Sequence, residues 1–138
     1  MRSSCAPAIS VKPTHFETHL VSPDGKLVFA RDVSGQGGVY QITGGEFRSL
    51  PGWLPEDTWI TWSADGRSAY VYHDEKTSGP VYRLDVATGK RQLVEALAPS
   101  DPAGVTSVLN VRMTPDGKFS AYSYSRELSD LFQVEGVR

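Results

Sequence analysis

The residues of this chain best suited to chemistry are its carboxylates and histidines, and three of the aspartates share one local pattern. Each stands directly before a glycine, in the segments Ser22-Pro23-Asp24-Gly25-Lys26, Ser63-Ala64-Asp65-Gly66-Arg67 and Thr114-Pro115-Asp116-Gly117-Lys118. Proline fixes the backbone for the second position of a type I turn, and aspartate suits the third position. Glycine then takes the left-handed conformation that closes a bulged hairpin. We therefore interpret these aspartates as turn residues and not as catalytic groups or metal ligands.

Two of the three histidines, His15 and His19, stand four residues apart with Glu17 between them. On a helix they would share a face, at a spacing that can bind zinc. We interpret this segment as a tail that leads into a strand, where residues four apart lie about 13 Å from each other. No third ligand is near in sequence, so we predict neither a metal site nor a cofactor. The sequence also contains no His-Glu-x-x-His and no Gly-x-Ser-x-Gly motif, and we predict no catalytic residues.

Each Asp-Gly turn is followed, at nearly the same distance, by a run of apolar, aromatic, polar and apolar residues. The three runs are Val39-Tyr40-Gln41-Ile42, Val81-Tyr82-Arg83-Leu84 and Leu131-Phe132-Gln133-Val134. Their aromatic residues follow the turn glycines by 15, 16 and 15 positions. Such alternation is typical of a half-buried strand, and its recurrence predicts repeated supersecondary units.

The pattern predicts strands on both sides of every turn. They are Phe16–Val21, Leu27–Ala30, Gly38–Ile42 and Phe47–Leu50 in the first unit; Thr58–Trp62, Ser68–Tyr72, Val81–Val86 and Arg91–Val94 in the second; and Leu109–Met113, Phe119–Tyr124 and Asp130–Val134 in the third. The segment Arg91–Ala98 also suits a short helix by composition. Because the first unit has a strand at the equivalent place, we predict a strand at its start.

Four antiparallel strands in a unit of about 40–45 residues are the anatomy of a β-propeller blade. We therefore predict an all-β chain that forms a partial β-propeller of about three four-stranded antiparallel blades, the last lacking a strand. Residues 1–13 are expected to form a flexible N-terminal tail. Residues 14–138 are expected to form the propeller segment, with blades at about 14–52, 53–98 and 105–138.

The number of blades bears on what the chain associates with. Propellers close with about 4–8 blades, and an open end exposes sheet edges. Three blades therefore suggest that the chain is a piece of a longer polypeptide, that it associates with itself, or that a protein partner completes the ring.

With these motifs laid out, residues 20–138 resemble the TolB-like family of β-propellers, whose blades carry a Ser-Pro-Asp-Gly-Lys turn between their first and second strands. The Trp62–Arg67 and Ser125–Gly136 segments resemble the C-terminal propeller end of bacterial proteins that carry a eukaryotic-like serine/threonine kinase or a winged-helix regulator domain. The resemblance implies a WD40-like repeat protein with a role in signalling. No kinase motif is present in this sequence, so kinase activity does not carry over.

Composition argues against two classes of partner. The formal net charge is −2 and the pI is about 5.9, which predicts no general attraction to nucleic acid. No apolar stretch approaches the length of about 20 residues that spans a bilayer, so we predict no membrane insertion by this chain. The N-terminus lacks the apolar region of a secretory signal. These features leave two cellular locations as alternatives. We expect the chain to be cytoplasmic if it is expressed alone, and extracytoplasmic if it is part of a membrane-anchored parent protein.

Antiparallel order places the Asp-Gly turns at one end of the blades and the longer loops at the other. Binding residues concentrate on irregular loops held by a rigid scaffold, so we predict the site at the long-loop end. Its candidate members are Trp53, Glu56, Asp57, Trp59, His73, Asp74 and Asp101. Trp53 and Trp59 are included because exposed tryptophans often mark interfaces, whereas Trp62 is expected in the core.

These features predict a non-catalytic propeller module that binds or senses a protein or a small ligand. The alternative is a propeller enzyme, a lyase or hydrolase acting at the central channel, which requires convergent titratable groups there.

Overall fold

The structure, a computed structural model, describes residues 20–75 and 78–136. Within these residues the chain forms nine strands and no α-helix. The strands are β1 (Leu27–Arg31), β2 (Gly37–Gln41), β3 (Arg48–Ser49), β4 (Asp57–Trp62), β5 (Ser68–His73), β6 (Gly79–Asp85), β7 (Arg91–Leu97), β8 (Val105–Met113) and β9 (Ser120–Arg126). They pair in chain order into three antiparallel sheets, β1-β2-β3, β4-β5-β6-β7 and β8-β9. The all-β class is therefore confirmed.

The second sheet has the four strands that the sequence predicts. Its strands β4 to β7 follow one another as an antiparallel meander. The segment that could also have been a helix forms β7 and runs from Arg91 to Leu97. Position in the repeat, rather than composition, thus predicted this element correctly.

The first sheet is shorter than predicted. Most of the expected strand Phe16–Val21 lies outside the described residues, and Val21 forms an isolated antiparallel bridge with Val28. The last strand of this sheet is reduced to the two residues Arg48 and Ser49, which pair with Val39 and Gly38.

The third sheet corrects one prediction. The segment Asp130–Val134 is not a strand, and residues 127–136 form no regular structure. The reason is that β8 and β9 pair over a longer stretch than predicted, from Val105 opposite Arg126 onward. This pairing, together with a hydrogen bond from the Glu127 N–H to the Gly104 carbonyl, leaves three residues, 127–129, for a hairpin, and none of them is the Gly that such a loop usually carries.

The Asp-Gly turns share one hydrogen-bond pattern. In each turn the hydroxyl of Ser22, Ser63 or Thr114 donates to the aspartate Oδ1 at 2.6 Å. The same Oδ1 accepts the backbone N–H of the residue after the glycine, at 3.0, 2.9 and 2.9 Å. The three turn glycines have φ between 70° and 73°, as expected for a bulged hairpin.

The three turns lie side by side. The Ala64 N–H donates to the Pro115 carbonyl at 2.9 Å, and a Cβ on Gly66 would lie 3.6 Å from Pro23 Cδ. The Asp-Gly turns of successive units are therefore grouped at one end of the sheets, as the antiparallel order predicts.

The second sheet is the middle layer of three. On β5, Ala69 and Val71 belong to a core cluster shared with the first sheet, whereas Tyr70 and Tyr72 belong to a cluster shared with the third. The alternation follows from the two-residue period of a strand. Trp62 is buried in the first cluster, which confirms its predicted core position. No helix in the described part of the chain is long and apolar enough to cross a membrane.

Candidate functional site

A charged cluster is buried where β4 begins. Asp57 is 1% exposed, and both of its carboxylate oxygens are bound by Arg91, at 2.6 Å from Nη1 to Oδ2 and 3.0 Å from Nη2 to Oδ1. His73 Nδ1 lies 2.9 Å from Oδ1, and the Leu54 N–H donates to Oδ2 at 2.8 Å. We call Asp57, His73, Arg91 and Arg31 the Asp57 cluster. Its carboxylate has no lone pair left to offer a ligand.

The two arginines of the Asp57 cluster also pack on aromatic rings. The Arg91 guanidinium lies 4.4 Å from the centre of the Tyr82 ring and donates to the Gly52 carbonyl at 3.0 Å. The Arg31 guanidinium lies 5.1 Å from the Trp53 ring and donates to the Asp57 carbonyl. The cluster therefore joins the link between the first two sheets to β1, β5 and β7, a structural role.

Two of the predicted binding residues lie in the core. Trp53 and Trp59 are each 7% exposed, so the expectation that they are surface tryptophans is wrong. Trp59 stacks on Phe29 with ring centres 4.1 Å apart. Trp53 lies so close to Gly37 that a Cβ there would be 2.6 Å from the indole. The link folds Trp53 back over the first sheet, and β4 places Trp59 in the core cluster that the first and second sheets share.

The other predicted binding residues are divided between two loops. Glu56 and Asp74 are exposed and adjacent, because the Asp74 N–H donates to the Glu56 carbonyl at 3.1 Å. Asp101 is exposed on the loop before β8, where its carboxylate lies 3.4 Å from Arg126 and accepts the Ala103 N–H at 3.0 Å. His73 is partly buried against Asp57.

An open cleft lies between the first and second sheets. Its volume is about 1090 Å³. Apolar and cationic side chains line it, among them Leu27, Leu50, Trp53, Val86, Arg48 and Arg67. Neither arginine forms a salt bridge with a described residue. The Trp53 indole N–H, which is buried, has no hydrogen-bond partner among the described residues.

The carboxylate at the edge of the cleft is engaged by its own turn. Asp85 Oδ1 accepts the Thr88 and Ala87 N–H groups, each at 2.9 Å. The hydrogen bond from the Thr88 backbone holds the pKa of Asp85 below its usual value. Asp85 therefore stays ionised near neutral pH, and the nearby charge of Arg67 adds to the lowering of its pKa. Arg48 and Arg67 are the cations that line the cleft.

No local pattern in the sequence indicates this cleft or the role of Arg91. Arg48 and Arg67 come from β3 and an Asp-Gly turn, and they meet only because the first sheet packs on the second. Among the described residues, no group of three or more His, Cys, Asp or Glu side chains could hold a metal ion.

Comparison with protein-family models, with curated proteins and with solved structures found no match to this chain.

Proposed function

We propose that the chain is a non-catalytic binding module of the TolB-like propeller type, and that the cleft between its first two sheets binds a small anionic ligand. The cleft, with two arginines that form no salt bridge with any described residue, is the observation that carries this proposal. Stacking of three sheets with a shared turn motif supports the propeller assignment. The resemblance to TolB-like propellers supports a sensory role in a signalling protein.

The charges of the cleft indicate the chemistry of the ligand. Arg48 and Arg67 present guanidinium groups that suit a carboxylate or a phosphate, since both accept paired N–H bonds. Leu50 and Val86 give the cleft an apolar surface for the body of the ligand. Ligand sites usually combine a mainly apolar lining with a few placed polar groups, over about 300–1,000 Å³. The cleft has this combination, and its volume of about 1090 Å³ lies just above this range.

The Asp57 cluster supports binding over catalysis. The alternative of a propeller lyase or hydrolase requires titratable groups that converge on an accessible point. Asp57, His73 and Arg91 do converge, but the Asp57 side chain is fully buried and bonded on both oxygens. A carboxylate in that state can position a loop but cannot take a proton from a substrate.

Thermal shift and calorimetry with a panel of dicarboxylates, tricarboxylates and sugar phosphates would test the cleft. We expect at least one compound to raise the melting temperature of the protein, and the double variant Arg48→Ala/Arg67→Ala to lose that shift. Arg112→Ala/Lys118→Ala is the matched control, because it removes two exposed cations from the third sheet and its turn. Equal loss of binding in both variants, or no binding to any compound, would contradict the proposal.

A second candidate is a basic protein partner at the long-loop end. Glu56 and Asp74 are exposed acidic residues whose backbones are joined by a hydrogen bond, each next in sequence to a member of the Asp57 cluster. Two acidic residues placed side by side on the surface favour a cationic partner, with affinity that falls as salt rises.

A lysine-rich peptide titrated by NMR would test this second site. We expect the peptide to shift the amide signals of residues 54–57 and 73–75, and Glu56→Lys/Asp74→Lys to abolish the shifts. The variant Glu46→Lys/Glu135→Lys reverses two exposed carboxylates elsewhere and should keep them. Shifts that the control variant removes equally would point to net charge alone.

A further inference from the structure

We propose that the segment Asp130–Val134 forms a β-strand on the free edge of β9 in a second copy of the chain, so that two copies exchange this segment. The proposal is independent of the cleft. It rests on an uncovered strand, an exposed segment of matching pattern, and the short connection between them.

The edge of β9 is uncovered. In the first two sheets, the strand after the Asp-Gly turn is covered by the next strand, β1 by β2 and β5 by β6. In the third sheet, β9 pairs among the described residues with β8 alone. Its sequence, SAYSYSR, contains no proline or lysine of the kind that protects free edges, and its one charged residue, Arg126, is the last of the strand. The outer edge of this seven-residue strand is therefore open to another strand.

The segment after β9 carries the pattern of the missing strand. Phe132 follows its turn glycine by 15 residues, as Tyr40 does, and Tyr82 follows by 16. Tyr40 and Tyr82 lie in the strands that pair with β1 and β5. In contrast, Leu131, Phe132 and Val134 are 98%, 81% and 73% exposed. Three exposed apolar side chains in a strand-like run favour burial against a partner.

The connection within one chain does not favour a hairpin that would let this segment cover its own β9. Arg126 pairs with Val105, and the Glu127 N–H donates to the Gly104 carbonyl at 2.8 Å. Three residues, 127–129, then connect β9 to Asp130, whereas the equivalent connections after β1 and β5 have five residues, 32–36 and 74–78. A three-residue hairpin loop usually carries Gly at its left-handed position, and Glu127-Leu128-Ser129 contains none.

A second copy avoids this restriction. The segment of each copy can extend away from its own sheet and pair with the β9 edge of the other, which gives a closed two-fold exchange. Short hinge loops promote exchange of this type. The exchange would also place a strand beside the exposed Tyr124 of β9.

Light scattering on the intact chain would test the exchange. We expect a mass twice the 15.1 kDa of one chain, and a single-chain mass for Leu131→Lys/Phe132→Lys. Val33→Lys is the matched control, because Val33 is 90% exposed in a different loop, and it should leave the mass at two chains. A monomeric native chain, or a dimer that survives Leu131→Lys/Phe132→Lys, would overturn the proposal.

Lengthening the connection between β9 and Asp130 provides a second test, which removes no apolar side chain from the segment. Insertion of Gly-Asn-Gly between Leu128 and Ser129 should let the segment fold back onto its own β9 and give a monomer. Hydrogen exchange should then protect residues 120–126 and 130–134 in both the native dimer and this monomer. A dimer unchanged by the insertion would show that the copies associate through another surface. Arg48→Ala/Arg67→Ala should leave the mass unchanged, so failure of the cleft proposal is distinguishable.

Discussion

At the scale of single residues, Asp57 shows how a group suited to chemistry is used for structure. The sequence offered it as a binding residue, since it follows a Leu-Pro-Glu turn in a link between units. In the fold, its carboxylate is the common partner of Arg91, His73 and the Leu54 N–H. No local pattern indicates this, because Arg91 comes from a strand 34 residues away.

Replacing Asp57 should lower the stability of the folded protein. Asp57→Asn keeps the shape but leaves Arg91 without its counter-charge in a largely buried place. We expect a loss of about 3 kcal/mol in the free energy of unfolding, typical of a broken buried ion pair. Urea denaturation would measure it, with the exposed Glu46→Gln as control. In the double variant Asp57→Asn/Arg91→Met, the loss should be smaller than the sum of the single losses. Additive losses would contradict a direct pairing.

The turn aspartates predict a pH effect. The Ser63 hydroxyl, followed by the Arg67 N–H, holds the pKa of Asp65 below its ordinary value of 3.8. A carboxylate whose pKa is lower in the folded state contributes stability above its unfolded pKa and loses it as pH falls through the folded pKa. Ser63→Ala should therefore raise the pKa of Asp65 toward 3.8 and weaken the turn mainly above pH 4.

NMR titration of the carboxyl carbons would check the effect. Asp116 serves as an internal control, because its pKa is lowered first by the Thr114 hydroxyl in a separate turn, and Ser63→Ala should not move it. An unchanged pKa for Asp65 would show that the hydroxyl is not the main cause.

At the scale of elements, the repeat predicted more than composition could. Because turn and strand recur at a fixed spacing, the sequence located all four strands of the second sheet, β7 included. The same reasoning failed at Asp130–Val134. The length of β9 depends on its partner β8, which starts at Val105, four residues before the predicted start at Leu109. The repeat spacing carries no information on that length. It also missed the burial of Trp53 and Trp59. Trp53 is buried because the link packs over Gly37, and Trp59 because β4 places it against Phe29 of the first sheet.

The turn glycines should differ in their sensitivity to a side chain. All have left-handed φ, but a Cβ on Gly25 would meet nothing within 4 Å, whereas one on Gly117 would lie 2.6 Å from the Tyr70 hydroxyl. Gly25→Ala should therefore cost about 1–2 kcal/mol from backbone strain alone, and Gly117→Ala should cost more. Tyr70→Phe should recover part of the additional loss in the Gly117→Ala protein. Equal losses of unfolding free energy for the two variants, measured by urea denaturation, would mean that Gly117 is not in tight contact with Tyr70 of the second sheet.

At the scale of the whole molecule, stability is expected to be centred on the second sheet. Both faces of this sheet are covered, one by the cluster shared with the first sheet and one by the cluster shared with the third. The first sheet ends in the two-residue strand β3, and the third consists, among the described residues, of β8 and β9 alone. Such differences in buried apolar contact set the order in which parts of a protein open.

Native-state hydrogen exchange should reveal that order. Val71 is fully buried in β5, so we expect its amide to exchange only through global unfolding, with an opening free energy that falls steeply with denaturant. The Leu50 amide, bonded to the Gly37 carbonyl beside β3, should open locally, with a lower free energy and little denaturant dependence. Equal opening free energies for the two amides would contradict this order, because they would show that the first and second sheets unfold as one unit. A denaturant-dependent Val71 amide beside a denaturant-independent Leu50 amide would instead show that the edge of the first sheet, which borders the cleft, opens while the middle layer stays folded.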